Sequence, residues 1–430
     1  MLEMKVTSHS RNPMWNLAIT IPLTVVLMYS AGFVITNTQA NPFGSMLVAG
    51  DAHDTMLDRL ITYGVTFLLV ILTASRCRTI IMAYRNNFII SSLIVIAAMS
   101  AAWSQDPWHT LRCAFMLFIS TSLILMITNE YSVEQQMQLL IIVGTVAAFL
   151  SIAVVLLLPG IGIDRTRDVW EGVFISGNHL GRICLFLLTP AIHYPSRAEG
   201  RLPMRVPYII LMLFLMGMSG SRTAWILTAA YLLLAFLLRQ TGRIARRDRG
   251  KVIVLVGIVV LLPLYVLYRN AADLLALIGR NTTLSGRTDI WESLIVSAMK
   301  RPLFGFGYQA FWAGNSSEAV NVLLETSRKT GFLGTYAHSG YLSVMLECGF
   351  VGLGLIVAMI SIAVRNSLVC LRSKRLSLTS WYLGIVFLTI AYNIDEETFM
   401  LTNYLPWMMF ILAYANLHKE VKSISSEAII

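Results

Sequence analysis

The stretch MQLLIIVGTVAAFLSIAVVLLL, residues 137–158, decides the fold. It carries no charge over a length that, as a helix, crosses a hydrocarbon core of about 30 Å. Comparable apolar blocks recur on both sides of it, at about 15–35, 57–73, 88–103, 111–128, 180–193, 207–219, 223–238, 252–268, 339–364, 380–394 and 402–417. Over 430 residues, 56% are hydrophobic and 13% charged, and the mean hydropathy is +0.69. Soluble domains carry about 25% charged residues, so a soluble globular protein is excluded. The expectation is an all-α polytopic membrane protein of about twelve transmembrane helices. The block 207–219 is short for a full crossing and needs shielding by its neighbours. The first apolar run, with no small-residue cleavage site before it, reads as a retained anchor.

Five cysteines, Cys77, Cys113, Cys184, Cys348 and Cys370, form no CxxC pair and lie in or beside apolar segments, which fits packing residues and no disulfide framework. The net charge of +10 is unevenly distributed. Alternate connections hold Lys5 and Arg11; Arg76, Arg78 and Arg85; Arg197, Arg201 and Arg205; the run from Arg239 to Lys251; Arg365, Arg372, Lys374 and Arg375; and Lys419 and Lys422. These are 20 of the 33 basic residues. The positive-inside rule then places both termini in the cytoplasm. The connection NEYSVEQQM has no basic residue and is the weakest part of that assignment.

On the opposite side lies the longest polar insertion, 269–337, between the ninth and tenth blocks. It divides the chain into 1–268, with helices one to nine, the exterior loop 269–337, and 338–430, with helices ten to twelve. Within the loop, TDIWESLIVSAMK (288–300) spaces Ile290, Trp291, Leu294, Ile295 and Ala298 as an amphipathic helix, with Asp289 and Glu292 in its first turn and Ser285 as a cap. The Pro and Gly of RPLFGFGYQ (301–309) end it and turn the chain back towards the membrane.

Arginines on the exterior side run against the charge bias, and a cation at a membrane boundary needs an anionic partner. Arg222 sits in the short turn of MSGSRTAW, behind Ser221, and Arg287 in LSGRTDIW opens the exterior helix. A planar guanidinium beside free helix N–H groups suits phosphate; the plainer alternatives are headgroup contacts, or pairing of Arg287 with Asp289 or Glu292. Arg182 in GNHLGRI is a secondary candidate. His338 in TYAHSGYLSVMLECGFVG closes the loop and opens the tenth block, where a neutral imidazole suits a general base. The competing reading is a helix cap or an interfacial residue like Tyr341. His179 in SGNHLG is the rival base. Asp395, Glu396 and Glu397 read as solvated turn residues or arginine partners. No ligand cluster supports a metal, and no P-loop or dinucleotide fingerprint supports a nucleotide cofactor. Neither metal nor cofactor is expected, and no nucleic-acid partner.

The series WSQDP, EGVFISGNHLG, SGSRTAW, LSGRTDIW, PLFGFGY and AHSGYLSVMLECGFVG, in this order around a large exterior loop, resembles the bacterial O-antigen ligase and polysaccharide polymerase superfamily. The resemblance runs from the middle of the chain through the tenth block. It implies a GT-C-like, membrane-embedded, metal-independent glycosyltransferase of the bacterial inner membrane. Its active site would be periplasmic and its donor an undecaprenyl pyrophosphate-linked glycan. Arg222 and Arg287 match the arginines that hold the pyrophosphate, and His338 matches the base that activates the acceptor. Ser339 departs from the asparagine that follows this histidine in many relatives, which bears on acceptor orientation. A ligase would pass the glycan to lipid A-core oligosaccharide, and a polymerase to a second lipid-linked repeat unit; ligase is the preferred reading. A twelve-helix transporter, which would favour two similar halves, is disfavoured because the large loop has no counterpart in the first half. Membrane lipids complete the expected partners.

The charge distribution predicts that, in a cysteine-free background, a cysteine at Asn315 reacts with an impermeant thiol reagent in intact spheroplasts and one at Gln240 does not. Labelling at Gln240 alone would invert the topology.

Overall fold

A computed structural model describes residues 17–30, 32, 56–194, 205–240, 248, 287–313, 317–330, 336–371 and 376–427. Among the described residues each apolar block contains a helix; the block 252–268 lies outside them. The helices are α1 (Leu17–Ser30), α2 (Met56–Ala74), α3 (Cys77–Asn86), α4 (Phe88–Met99), α5 (Pro107–Glu130), α6 (Val133–Leu157), the four-residue α7 (Pro159–Gly162), α8 (Gly177–His193), α9 (Arg205–Met218) and α10 (Arg222–Gln240). After the undescribed segment come α11 (Arg287–Ala298), α12 (Ser317–Thr330), α13 (Gly340–Cys370), α14 (Leu376–Asp395) and α15 (Leu405–Glu427). A small antiparallel pair, Ile163–Asp164 with Val169–Trp170, precedes α8.

Among the described residues five helices are long and apolar enough to cross a membrane, or six if the pair 62–74 and 77–86, bent by 81°, is one span. The protein is thus a multi-pass helical membrane protein. The bent pair departs from the sequence reading, which left residues 77–86 as a connection; they form α3, with Ile80 and Ala83 buried and Arg78 and Arg85 exposed.

α14 is the most enclosed candidate span, 78% buried, and packs against α8, α10, α13 and α15. Trp381, Tyr382 and Tyr392 lie wholly inside. Several hydroxyls within the bundle are satisfied locally: Thr228, Ser367 and Thr389 each donate to the carbonyl four residues back.

Contacts at one end of the bundle join the basic connections. Arg76 pairs with Glu130 at 2.9 Å, Lys422 donates to Asn86 at 3.1 Å and Lys419 to the Thr128 carbonyl. Arg205 donates to the Ile192 carbonyl at 2.6 Å, and Ser377 to that of His193 at 3.0 Å. The connection NEYSVEQQM therefore lies on the same side as Arg76, through its own Glu130.

The residues that follow the undescribed segment build a second, smaller core. α11 buries Ile290, Leu294 and Ala298, a stripe at four-residue spacing, and α12 adds Ala319, Val322 and Leu323. The sequence reading had α11 but left α12 as loop. Glu318 on α12 ties the two helices by accepting from Lys300 at 2.6 Å and Ser297 at 2.7 Å.

This core docks on the bundle through a break in α13. Gly349 there has φ 64° and ψ −163°, a conformation open essentially to glycine alone. In an unbroken helix Phe350 and Val351 would donate to Leu346 and Glu347. Instead they donate to Pro302 and Leu303, at 2.7 and 3.2 Å, while Phe306 and Gly307 donate to the freed carbonyls of Leu346 and Glu347, at 2.8 and 3.0 Å. RPLFGFGY is therefore an insert that completes the hydrogen bonding of a broken helix. It also engages WSQDP: Trp103 donates to the Phe304 carbonyl, Tyr308 N–H to Ser100, and Thr110 to the Tyr308 carbonyl at 2.9 Å.

A Cβ at Gly349 would collide with the Leu303 backbone, and the backbone conformation alone costs a non-glycine residue about 1–3 kcal/mol. Gly349→Ala should lower the thermal stability of purified protein by several degrees, read by a melting assay in detergent. It should also expose 301–308 to limited proteolysis.

Candidate functional site

Three consecutive acids follow from the central position of α14. Its C-terminus emerges on the face opposite the basic connections, and each acid there holds a different motif of that face. Asp395 Oδ2 accepts from Thr223 Oγ1 at 3.1 Å, in the SGSRT turn. Glu396 pairs with Arg182 of GNHLGR at 2.8 Å, and its carbonyl accepts from Gly340 N–H at 3.1 Å. Glu397 accepts the Ala337 N–H at 2.7 Å. Asn393 shapes the turn: its Oδ1 accepts from Thr398 and Phe399 N–H at 2.9 and 3.1 Å, and Nδ2 donates to the Thr389 carbonyl at 2.7 Å.

Arg222 is exposed and is the first residue of α10. Ser221 before it is buried and accepts from Ala224 N–H at 3.4 Å, so the hydroxyl caps the helix. The turn is tight because Gly220 has φ 63°, and because Gly177 and Gly181 of α8 pack directly on Ser219 and Ser221. GNHLG and SGSR are thus two sides of one contact. Arg287 is likewise the first residue of its helix, α11. It lies one turn before Trp291 in the chain. The rest of the SGR turn lies outside the described residues.

Trp291 Nε1–H donates to the Ala337 carbonyl at 2.8 Å. The residue after Ala337 is His338, buried, with φ 49°. A left-handed histidine is sparsely populated and persists only where its surroundings enforce it. The N-cap position of α13 belongs to Ser339, so His338 does not cap the helix. Its ring lies against Tyr336, centroids 3.7 Å apart.

The secondary candidates are placed differently. Arg182 is buried, with Nη1 donating to the Tyr404 hydroxyl at 2.6 Å, Nη2 on Glu396, and its guanidinium 5.3 Å from the Tyr392 ring centroid. That fixes it as an internal anchor between α8 and the acidic turn. His179 is held between the rings of Phe174 and Tyr404, with centroids at 5.4 and 5.6 Å, and its N–H is capped by Ser176. Tyr341 donates to the Ile390 carbonyl at 3.3 Å and packs edge-on against Phe399.

Asp395 to Glu397, read from sequence as solvated turn residues or arginine partners, are in part the latter, since Glu396 holds Arg182; Glu396 and Glu397 are buried. Their signal was three adjacent acids at the end of an apolar span. Among the described residues no three His, Cys, Asp or Glu side chains converge as a metal set; the three acids face separate partners. Trp291 and Glu397 escaped the sequence reading as site residues, because pairing with a backbone peptide across about 50 or more positions leaves no local pattern.

A bundle of long apolar helices, with Arg222 and Arg287 each opening a helix, defines the class, a multi-pass helical membrane protein. Residues 207–357, which contain the SGSR, SGR, PLFGFGY and AHSGY motifs, match the family described as O-antigen ligase. The chain is 25% identical over 293 residues to the exopolysaccharide production protein ExoQ of Rhizobium meliloti (strain 1021), a match spanning 64% of this chain and 64% of that protein. Both similarities point the same way, to proteins of O-antigen ligation and exopolysaccharide production.

Burial pushes the Glu397 carboxyl up from the ordinary 4.5 to about 7, with Glu396 adding to the rise and Arg182 opposing it. The folded state therefore holds this proton more tightly than the unfolded chain. The contribution is neutral below the ordinary carboxyl range, becomes unfavourable as pH rises from 4.5 to about 7, and is constant above that. Glu397→Gln should accordingly melt at a higher temperature than wild type at pH 8, the difference vanishing at pH 4. An equal or lower melting temperature at pH 8 would contradict the raised carboxyl.

Proposed function

We propose that the protein is a membrane-embedded glycosyltransferase that moves a glycan from undecaprenyl pyrophosphate to the lipid A-core acceptor, an O-antigen ligase working on the periplasmic face of the bacterial inner membrane. The observation that carries this reading is the convergence of the SGSR turn, GNHLGR and the AHSGY loop on one acidic turn, with α11 tied to the same loop by Trp291.

The chemistry follows from the substrate. A glycan on pyrophosphate already has a good leaving group, so no nucleotide is consumed. His338 takes the proton of the acceptor hydroxyl, the oxygen attacks the anomeric carbon, and the bond from that carbon to the pyrophosphate oxygen breaks. Charge accumulates on the departing pyrophosphate. Arg222 and Arg287 each open a helix, so guanidinium and free N–H groups act together there, in place of a metal ion. The exterior core covers the centre and limits transfer to water.

The likeness to a protein named for exopolysaccharide production favours a second reading, polymerisation, in which the acceptor is another lipid-linked repeat unit. Mass analysis of products from purified protein, lipid pyrophosphate-linked oligosaccharide and either acceptor distinguishes the two. Consumption of lipid A-core supports the ligase; growth of the lipid-linked chain alone supports the polymerase.

Arg222→Lys and Arg287→Lys should each lose most activity although charge is kept, because an ammonium cannot reproduce the two-pronged contact on phosphate. Transfer should persist in excess EDTA. His338→Ala should lower turnover about a hundredfold or more while donor binding survives. Full activity in both lysine variants, or activity restored only by Mg²⁺ or Mn²⁺ after EDTA, would overturn the arginine clamp.

A further inference from the structure

We propose that Glu397 and Trp291 are positioning residues for His338, acting through the two faces of Ala337; this rests on the reading of His338 as the base. The geometry is one of successive peptide planes. Glu397 fixes the plane before Ala337 by accepting its N–H at 2.7 Å. Trp291 fixes the next plane, which contains the His338 nitrogen, by donating to the Ala337 carbonyl at 2.8 Å. Two residues on, Gly340 N–H is held by the Glu396 carbonyl at 3.1 Å. His338 is thus suspended between anchored planes, and its φ of 49° is what spans them.

Each anchor comes from a different body: Glu397 from the turn after α14, Trp291 from the exterior helix that begins at Arg287. Ala337 is wholly buried. Without either anchor, water cannot readily replace the missing partner, and the peptide is free to rotate towards an ordinary conformation for His338. That rotation carries the imidazole away from its place, and a shift of about 1 Å at a reacting group costs on the order of a hundredfold in rate.

A buried carboxyl is an expensive acceptor for one N–H, and its retention here fits a task in which geometry outweighs stability. The groups facing Glu397 are Ser343 and Glu347 on α13, Glu396 on its own turn and Arg182 on α8. The role assigned to Glu397 is that of acceptor, for which an amide oxygen suffices.

The test compares Glu397→Gln, Glu397→Leu and Trp291→Phe with wild type and His338→Ala, measuring kcat and donor KM for glycan transfer, together with a melting curve for each. Glu397→Leu and Trp291→Phe should lower kcat by about ten- to a hundredfold with donor KM within about twofold, since the arginines are untouched. Glu397→Gln should restore kcat to within about threefold of wild type. If Glu397→Leu does not fold, Trp291→Phe decides the matter, as it removes one N–H and keeps an aromatic ring. Folded Trp291→Phe with wild-type kcat, or Glu397→Gln as impaired as the leucine variant, overturns the inference while an inactive His338→Ala leaves the base assignment standing. Near-normal turnover in His338→Ala overturns both.

Discussion

The ion pair between Arg182 and Glu396 is the constraint on which the exterior face depends. Both groups are buried, and an unpartnered charge there would cost several kcal/mol, so the pair holds the turn after α14 against α8. Asp395 then reaches the start of α10 and Glu397 reaches the loop before α13. The three acids are the keystone of the face because α14 is the most enclosed candidate span, so its end is surrounded by the ends of its neighbours.

A second constraint lies in α13. The second core, built around α11 and α12, is joined to the bundle at the broken helix around Gly349. The backbone groups released by that break are completed by residues 302–307, which fasten the cap to α13, while Trp291 fastens it to the loop of His338. Two strained features, a glycine-only backbone in α13 and a left-handed histidine, thus lie at opposite ends of one docking surface. Strain of this kind survives where surrounding structure over-determines it, and such places tend to be sites of function.

Much of this was legible from residues alone. Apolar length gave the helices, because a bilayer demands about 20 uncharged positions whatever the fold. Helical spacing gave α11. Long-range pairing was not legible. Nothing local in Glu397 says that it accepts from Ala337, or in Trp291 that it donates to the same residue. The amphipathic α3 was hidden by its arginines, and α12 by its low apolar content. The role of Arg182 shifted for a related reason: sequence places an arginine near an interface, but only packing shows that Glu396, Tyr404 and Tyr392 already occupy it.

The central claim is that the Arg182–Glu396 pair assembles the site, and a double-mutant cycle tests it directly. Arg182→Met, Glu396→Gln and the double variant would be compared with wild type in thermal stability and in rate of glycan transfer. Each single change leaves one buried group without its partner, so both should lose stability and turnover. The double variant should lose about 2 kcal/mol less than the sum of the singles. Additive losses, or single variants that transfer glycan at the wild-type rate, would contradict the account.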